Sequence, residues 1–218
     1  MKIIEPSFEI ITPASPQEGI RQLMFIEEMA RISHRSEDLQ GEDTWRRFIK
    51  FVVCDKGDWS VVEHAHSTVK FRVDRGITHE LVRHRLFSFT QESTRFVNYK
   101  KKGIVEFICP NGLDSFQRMV WGSQIAKAEE VYMQMLESGA SPQIARSVLP
   151  NALASTIAVT GNLRNWRHLF LMRTTLESHP DMKKVMIPLL AEFKNRIPLL
   201  YDDIIPNRKQ SEALSDPR

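Results

Sequence analysis

RHRLFSFTQESTRF, residues 83–96, sets Arg83, His84 and Arg85 side by side and comes to Arg95 twelve residues after Arg83. Ser88, Thr90, Gln91, Glu92, Ser93 and Thr94 lie between, with phenylalanines among them. Successive residues of a helix are turned by about 100°. A helical Arg83-His84-Arg85 run therefore points in three directions and cannot serve one face. Such a run suits sites that serve more than one chain. The hydroxyl-rich residues after Arg85 lack helical apolar periodicity. They read as a loop whose backbone N–H groups suit a phosphate, with Arg95 placed for a bidentate contact. Composition leaves a solvated basic turn equally open.

Working outward, the flanks alternate helix and strand signals. Upstream, Pro16 precedes a helix with acidic residues on one side (17–33), and Asp43 is the expected N-cap of a second ending near Gly57. Val69, Phe71 and Val73 alternate with Lys70 and Arg72, a half-buried strand. Gly76 opens a short helix running into the basic stretch. Downstream come a strand at 105–110, a long helix from 113 closed by Gly139 and Pro142, and a short helix stopped by Pro150. A β-prone run at 154–160 follows, then a helix with Asn162 near its start. One or two helices broken at Pro188 and Pro198 end the series. The expected fold class is α+β, a helix-rich single domain over 1–218 with a small antiparallel or mixed sheet. Residues 207–218 read as a loose polar tail.

The net charge of +3 is small for a protein gripping long nucleic acid. No apolar run reaches the length of a membrane span, and the first residues lack the apolar core of a signal peptide. Cys54 and Cys109 stand far apart and form neither a disulfide scaffold nor a zinc knuckle; both read as buried thiols of a cytoplasmic protein. Glu63, His64 and His66, with His79 and His84, carry metal-ligating groups, but at no spacing that defines a metal site. Glycine-rich nucleotide motifs are absent. In residues 162–173, Asn162, Trp166, Leu169 and Arg173 share one helical face, and Arg164 and His168 form an i,i+4 pair on another.

Residues 83–95 resemble the signature of the flavin-dependent thymidylate synthases: Arg83, His84, Arg85, Ser88, Thr90, Ser93 and Arg95 occupy its positions. ARIS (30–33), WSVVEHAH (59–66), IARSVLP (144–150) and NLRNWRHLFLMR (162–173) follow the family's order and approximate spacing. The resemblance covers about 30–182 and implies a thymidylate synthase complementing protein-like fold. It implies methylation of dUMP at C5, with methylenetetrahydrofolate as carbon donor and FAD, reduced by NADPH, as hydride carrier. It also implies a homotetramer with FAD and dUMP sites at subunit junctions, and no membrane or nucleic-acid partner.

Carried over by position, Glu80, Arg83, Gln91, Glu92, Ser93, Thr94, Arg95, Arg146 and Arg173 are expected at dUMP, with Arg83 reaching a neighbouring subunit. Ser33, Ser60, Arg83, His84, Arg85, Gln91, Asn162, Arg164 and His168 are expected at the flavin. Arg173 lies beside the uracil ring in this analogy, where a cation stabilises developing negative charge; it is the expected catalytic residue. Ser93 has no evident base and is assigned to binding. Thr90 stands where Asn is frequent, Asp58 where His is, and Phe96 where Tyr is; His179 carries over only weakly. Methylation or hydroxymethylation of another pyrimidine nucleotide such as UMP, or a nucleic-acid-binding module, are the competing readings.

Overall fold

The structure is a computed structural model and describes residues 1–214. Six strands and nine α-helices are described: β1 (Lys2–Ile4), β2 (Ser7–Thr12), α1 (Pro16–Arg31), α2 (Thr44–Phe48), β3 (His66–Asp74), α3 (Arg75–Leu81), β4 (Ser88–Gln91), α4 (Tyr99–Lys102), β5 (Glu106–Ile108), α5 (Ser115–Glu137), α6 (Pro142–Ala145), β6 (Ala154–Asn162), α7 (Leu163–Arg173), α8 (Pro180–Arg196) and α9 (Gln210–Leu214). One sheet has the order β2-β3-β6-β4, and β1 pairs in parallel with β5, Ile3 opposite Phe107. This is the α+β, helix-rich architecture expected. Within the expected single domain the described residues pack as two compact units. One comprises Met1–Ser7, Phe71–Arg83 and Phe89–Ala158; the other Phe8–Lys70, His84–Ser88 and Val159 onward. None of the described helices is long and apolar enough to cross a membrane.

In the first unit, α5 starts from a capping box: Asp114 accepts from Gln117 N, and the Gln117 side chain accepts from Asp114 N. It ends at Gly139, whose φ of +95° a side chain would resist. Tyr132 and Ile125 of α5 close on Tyr99, Val105, Phe107, Ala145 and Leu153 to form the core. In the second unit, Trp166 and Phe170 of α7 meet Phe193 of α8 and Tyr201 at centroid separations of 5.0–5.9 Å. α1 crosses α8 at Gly19, where a Cβ would fall 1.8 Å from Arg196 O, so only glycine fits.

Several sequence expectations need correction. β1 and β2 were not foreseen. The residues after Arg85 are not all loop, because Ser88–Gln91 is a sheet strand. α3 begins from Asp74, whose carboxylate accepts from Ile77 N at 3.0 Å, and stops at Leu81. Arg83, His84 and Arg85 therefore sit in a turn, and helical geometry does not govern them. Asp43 occupies the N-cap of α2 without a capping bond from its side chain, and the chain beyond α2 winds as a π-helix over Ile49–Asp55. α8 runs unbroken through Pro188. An interior proline costs about 3 kcal/mol. Val185, Met186, Leu189, Leu190 and Phe193 are buried around it, each worth about 1.5–3 kcal/mol, so burial wins. Residues 207–214 are not a loose tail: α9 forms there, with Leu176 N donating to Arg208 O and Gln210 N to the Glu177 carboxylate. Residues 215–218 lie outside the described part. Both cysteines are half-buried rather than buried.

Candidate functional site

The predicted nucleotide residues, Arg173 excepted, fall in the first unit. β4 carries Gln91 between Thr78 and Ser155: its side-chain amide donates to both hydroxyls, at 2.9 and 3.2 Å. Glu92 follows at the strand's end. Its N–H donates to Thr156 O, and its carboxylate accepts from Arg72 and from the Tyr99 hydroxyl, each at 2.7 Å. The chain then turns at Ser93, whose carbonyl accepts from Phe96 N and Val97 N and whose hydroxyl accepts from Arg95 N. Thr94 is buried and accepts from Arg146 at 3.2 Å. Arg95 is exposed, donates to Gln143 at 3.1 Å and lies 5.2 Å from the Phe96 ring centre.

Two exposed guanidinium groups are thus tied to one turn bearing two hydroxyls. Neither is paired with a carboxylate among the described residues, which suits a phosphate. Glu80 is half-buried near the end of α3, and its carbonyl accepts from Arg83 N; the Arg83 side chain is exposed. Sequence reasoning missed Arg72, Tyr99, Thr78, Ser155 and Gln143. No local pattern marks them, because their partners are distant in the chain.

The predicted flavin residues, Arg83 and Gln91 excepted, fall in the second unit, with Arg173. Asn162 caps α7 by accepting from Asn165 N at 2.8 Å. Asn165 in turn donates to Leu86 O at 3.1 Å, holding the 84–88 segment. Phe87 anchors that segment edge-on to Trp166, 5.1 Å between centroids. A Cβ on Gly161 would lie 2.4 Å from the Phe87 ring, so this approach needs glycine. Arg164 is exposed and donates to Glu63 at 2.5 Å; His168 is exposed one turn further. Ser60 donates to Asp58 at 2.6 Å, and Ser33 to Ala30 O at 2.8 Å. Arg85 is exposed. Arg167, between these positions, is not a surface arginine but is 4% exposed. His179 caps α8, accepting from Asp181 N at 3.2 Å.

The chemical centre of this unit is His84. Arg173, at the C-terminal end of α7, donates Nε–H to His84 Nε2 at 2.9 Å. A neutral ring that accepts at Nε2 carries its proton on Nδ1, which remains a donor. Burial, then Arg173, then His168 push the imidazole pKa down to about 4, so His84 is neutral at pH 7. The unfolded chain takes up a proton near pH 6.5 and the folded one only near 4. Stability contributed by this group is therefore complete above pH 6.5 and falls as the pH drops toward 4. His84→Gln should flatten that part of the stability profile; an unchanged slope between pH 6.5 and 4 in urea titrations would contradict the assignment.

The sequence and the fold have counterparts. Residues 20–199 match the family model described as thymidylate synthase complementing protein. A flavin-dependent thymidylate synthase of Corynebacterium efficiens is 34% identical over 182 residues, covering 75% of this chain and 70% of its own. One from Mycobacterium tuberculosis is 32% identical over 171 residues, covering 69% of this chain and 66% of its own. The crystal structure of a UMP/dUMP methylase, PolB from Streptomyces cacaoi, bound with 5-Br dUMP, superposes with a TM-score of 0.71. It is 23% identical and covers 89% of this chain and 92% of that one. On a match of this length and identity, the chain belongs to the thymidylate synthase complementing protein family, that of the flavin-dependent thymidylate synthases, and is an enzyme of the methyltransferase class.

Proposed function

We propose that this enzyme converts dUMP to dTMP by reductive methylation at C5, taking the carbon from methylenetetrahydrofolate and using FAD reduced by NADPH. We place it in the cytoplasm as a homotetramer whose subunits share sites, with Arg83 reaching the neighbour's dUMP. The observation that carries the reading is the 93–95 turn. Arg95 and Arg146 flank the Ser93 and Thr94 hydroxyls there, a donor set for a phosphate monoester.

The second unit's residues fit a flavin dinucleotide. Arg85 and His168 are exposed donors suited to its diphosphate, Arg164 would join them by exchanging its pairing with Glu63, and the His84 Nδ1–H is a donor beside the Arg173 cation. Ser60 and Ser33 have their hydroxyl protons committed to Asp58 and Ala30, so they would meet the cofactor as acceptors. When bound, the flavin supplies the hydride. The protein's part is to bind, orient and stabilise charge. Arg173 offsets negative charge developing on the pyrimidine, and neutral His84 holds Arg173 without adding a charge of its own. A thiolate is not needed. Burial raises the pKa of Cys54 above the ordinary thiol value, which keeps it a weak nucleophile.

The test is dTMP formation from dUMP by purified protein given FAD, NADPH and methylenetetrahydrofolate. A colourless protein that cannot be reconstituted with FAD would overturn the proposal. Arg146→Ala should raise KM for dUMP by about tenfold or more, the scale of a lost charge-assisted contact, with kcat less affected. A second reading has one support: the PolB neighbour is a UMP/dUMP methylase. Preference for UMP in the same assay would select it.

A further inference from the structure

Glu92 presents a problem that the proposed function does not solve. A carboxylate directly precedes the turn assigned to the phosphate. Two like charges about 4 Å apart repel by about 4 kcal/mol near a protein surface, enough to cancel a good phosphate contact. The structure shows how the charge is occupied. Glu92 Oε2 accepts from Arg72 Nη1 at 2.7 Å and from Thr156 N at 3.4 Å, and Oε1 accepts from the Tyr99 hydroxyl at 2.7 Å. Arg72 also donates to Thr156 Oγ1 at 3.0 Å and to Glu106 at 2.7 Å, and Glu106 accepts from Lys2 at 2.8 Å. Arg72 and Glu92 are only 24% and 20% exposed, so this pair is screened less than a surface pair.

The network is built on rigid parts. Arg72 projects from β3, Thr156 from β6 and Glu106 from β5. Tyr99 is buried in the α5 core, and its N–H donates to the Tyr132 hydroxyl. Burial and the neighbouring carboxylate raise the Tyr99 pKa, so the phenol stays a donor. The turn beyond Glu92, by contrast, is steadied by side chains at exposed positions: Arg146 on Thr94 and Gln143 on Arg95.

We propose that Arg72 and Tyr99 are positioning residues for the nucleotide's phosphate, clamping and neutralising Glu92 so that the 93–95 turn presents its hydroxyls and arginines in one geometry. Glu92 is then a tether, not a ligand of the substrate. The inference rests on the dUMP reading above.

Binding of dUMP and of deoxyuridine, which lacks the phosphate, to the FAD-loaded enzyme tests it. Wild type should bind dUMP at least about tenfold more tightly than deoxyuridine, as a charge-assisted phosphate site requires. Tyr99→Phe keeps the ring and removes one bond to a charged group. It should weaken dUMP about fivefold or more, leave deoxyuridine unchanged, and raise KM with little change in kcat. Arg72→Met should do the same more strongly, with partial rescue in Arg72→Lys; if Arg72→Met does not fold, Tyr99→Phe decides alone. Unchanged dUMP affinity in Tyr99→Phe would overturn the positioning role and leave the dUMP reading standing. Equal weakening of both ligands would reduce the network to a structural one and overturn it too. A wild-type enzyme that does not discriminate the two ligands would overturn the phosphate site itself, and the inference with it.

Discussion

Arg173→Ala will lose dTMP formation by at least about a hundredfold, the scale of removing one preorganised electrostatic donor, while the fold and bound flavin persist. The argument starts from position. Arg173 ends α7, where a cation is favoured by the helix dipole by about 0.3–1 kcal/mol. It is half-buried, and its Nε–H is committed to His84. Of the interactions Arg173 makes, the hydrogen bond to His84 and the dipole interaction are worth about 1–2 kcal/mol, small beside the roughly 5–15 kcal/mol by which a folded protein is stable. Losing the cation removes the charge proposed to stabilise the pyrimidine.

The same substitution carries a readout independent of turnover. Arg173 helps hold down the His84 pKa, after burial and ahead of His168. Without it the imidazole should titrate above its present value of about 4, which NMR of the His84 ring would follow. Arg173→Lys, keeping charge but not the guanidinium geometry, should recover activity in part. Full activity in Arg173→Ala would remove Arg173 from the mechanism; an unmoved His84 titration would remove the pairing.

What could be read in the sequence divides along physical lines. Asn162 and the 113–140 helix were legible because caps act over three or four residues. β3 was legible because alternation is local. β4 was not. Its four residues make a short exposed and half-buried pattern, and only pairing in the sheet, a tertiary fact, makes them a strand. The basic triplet illustrates a different failure: helical geometry was applied to residues that follow the end of α3. Arg83 belongs to one compact unit and His84 and Arg85 to the other.

The site divides in the same way. Side-chain identities at 83–95 and 162–173 carried the family, whereas the groups that steady them did not stand out. Arg72 looked like the polar side of a half-buried strand, yet it holds two carboxylates 20 and 34 residues away. Pro188 misled in the opposite direction, because a strong local breaker was outweighed by burial on α8.

Arg167 is the case with the largest expected cost in stability. On α7 it falls among residues that look like a solvated basic face, but it is 4% exposed. Its guanidinium makes a fork on Asp203, at 2.7 and 2.5 Å, and also donates to Leu200 O at 2.9 Å. Its Cζ lies 4.3 Å from the Trp59 ring centre. Arg167→Ala strands Leu200 O in a buried position, takes the cation from the Trp59 ring and leaves a cavity. Asp203 is 38% exposed on its side chain and can regain water, which keeps the loss below that of a fully buried broken pair. The expected destabilisation is about 3 kcal/mol, or roughly 6–12 °C in Tm for a chain of this size. Arg167→Met refills the space but not the bonds, so it should recover only part of the loss. Asp203→Asn, which keeps an acceptor for the fork, should cost less than Arg167→Ala. Urea denaturation of the three variants checks this order. Arg167→Ala within about 0.5 kcal/mol of wild type, the range of an ordinary surface change, would mean that the fork and the stacked ring contribute nothing net.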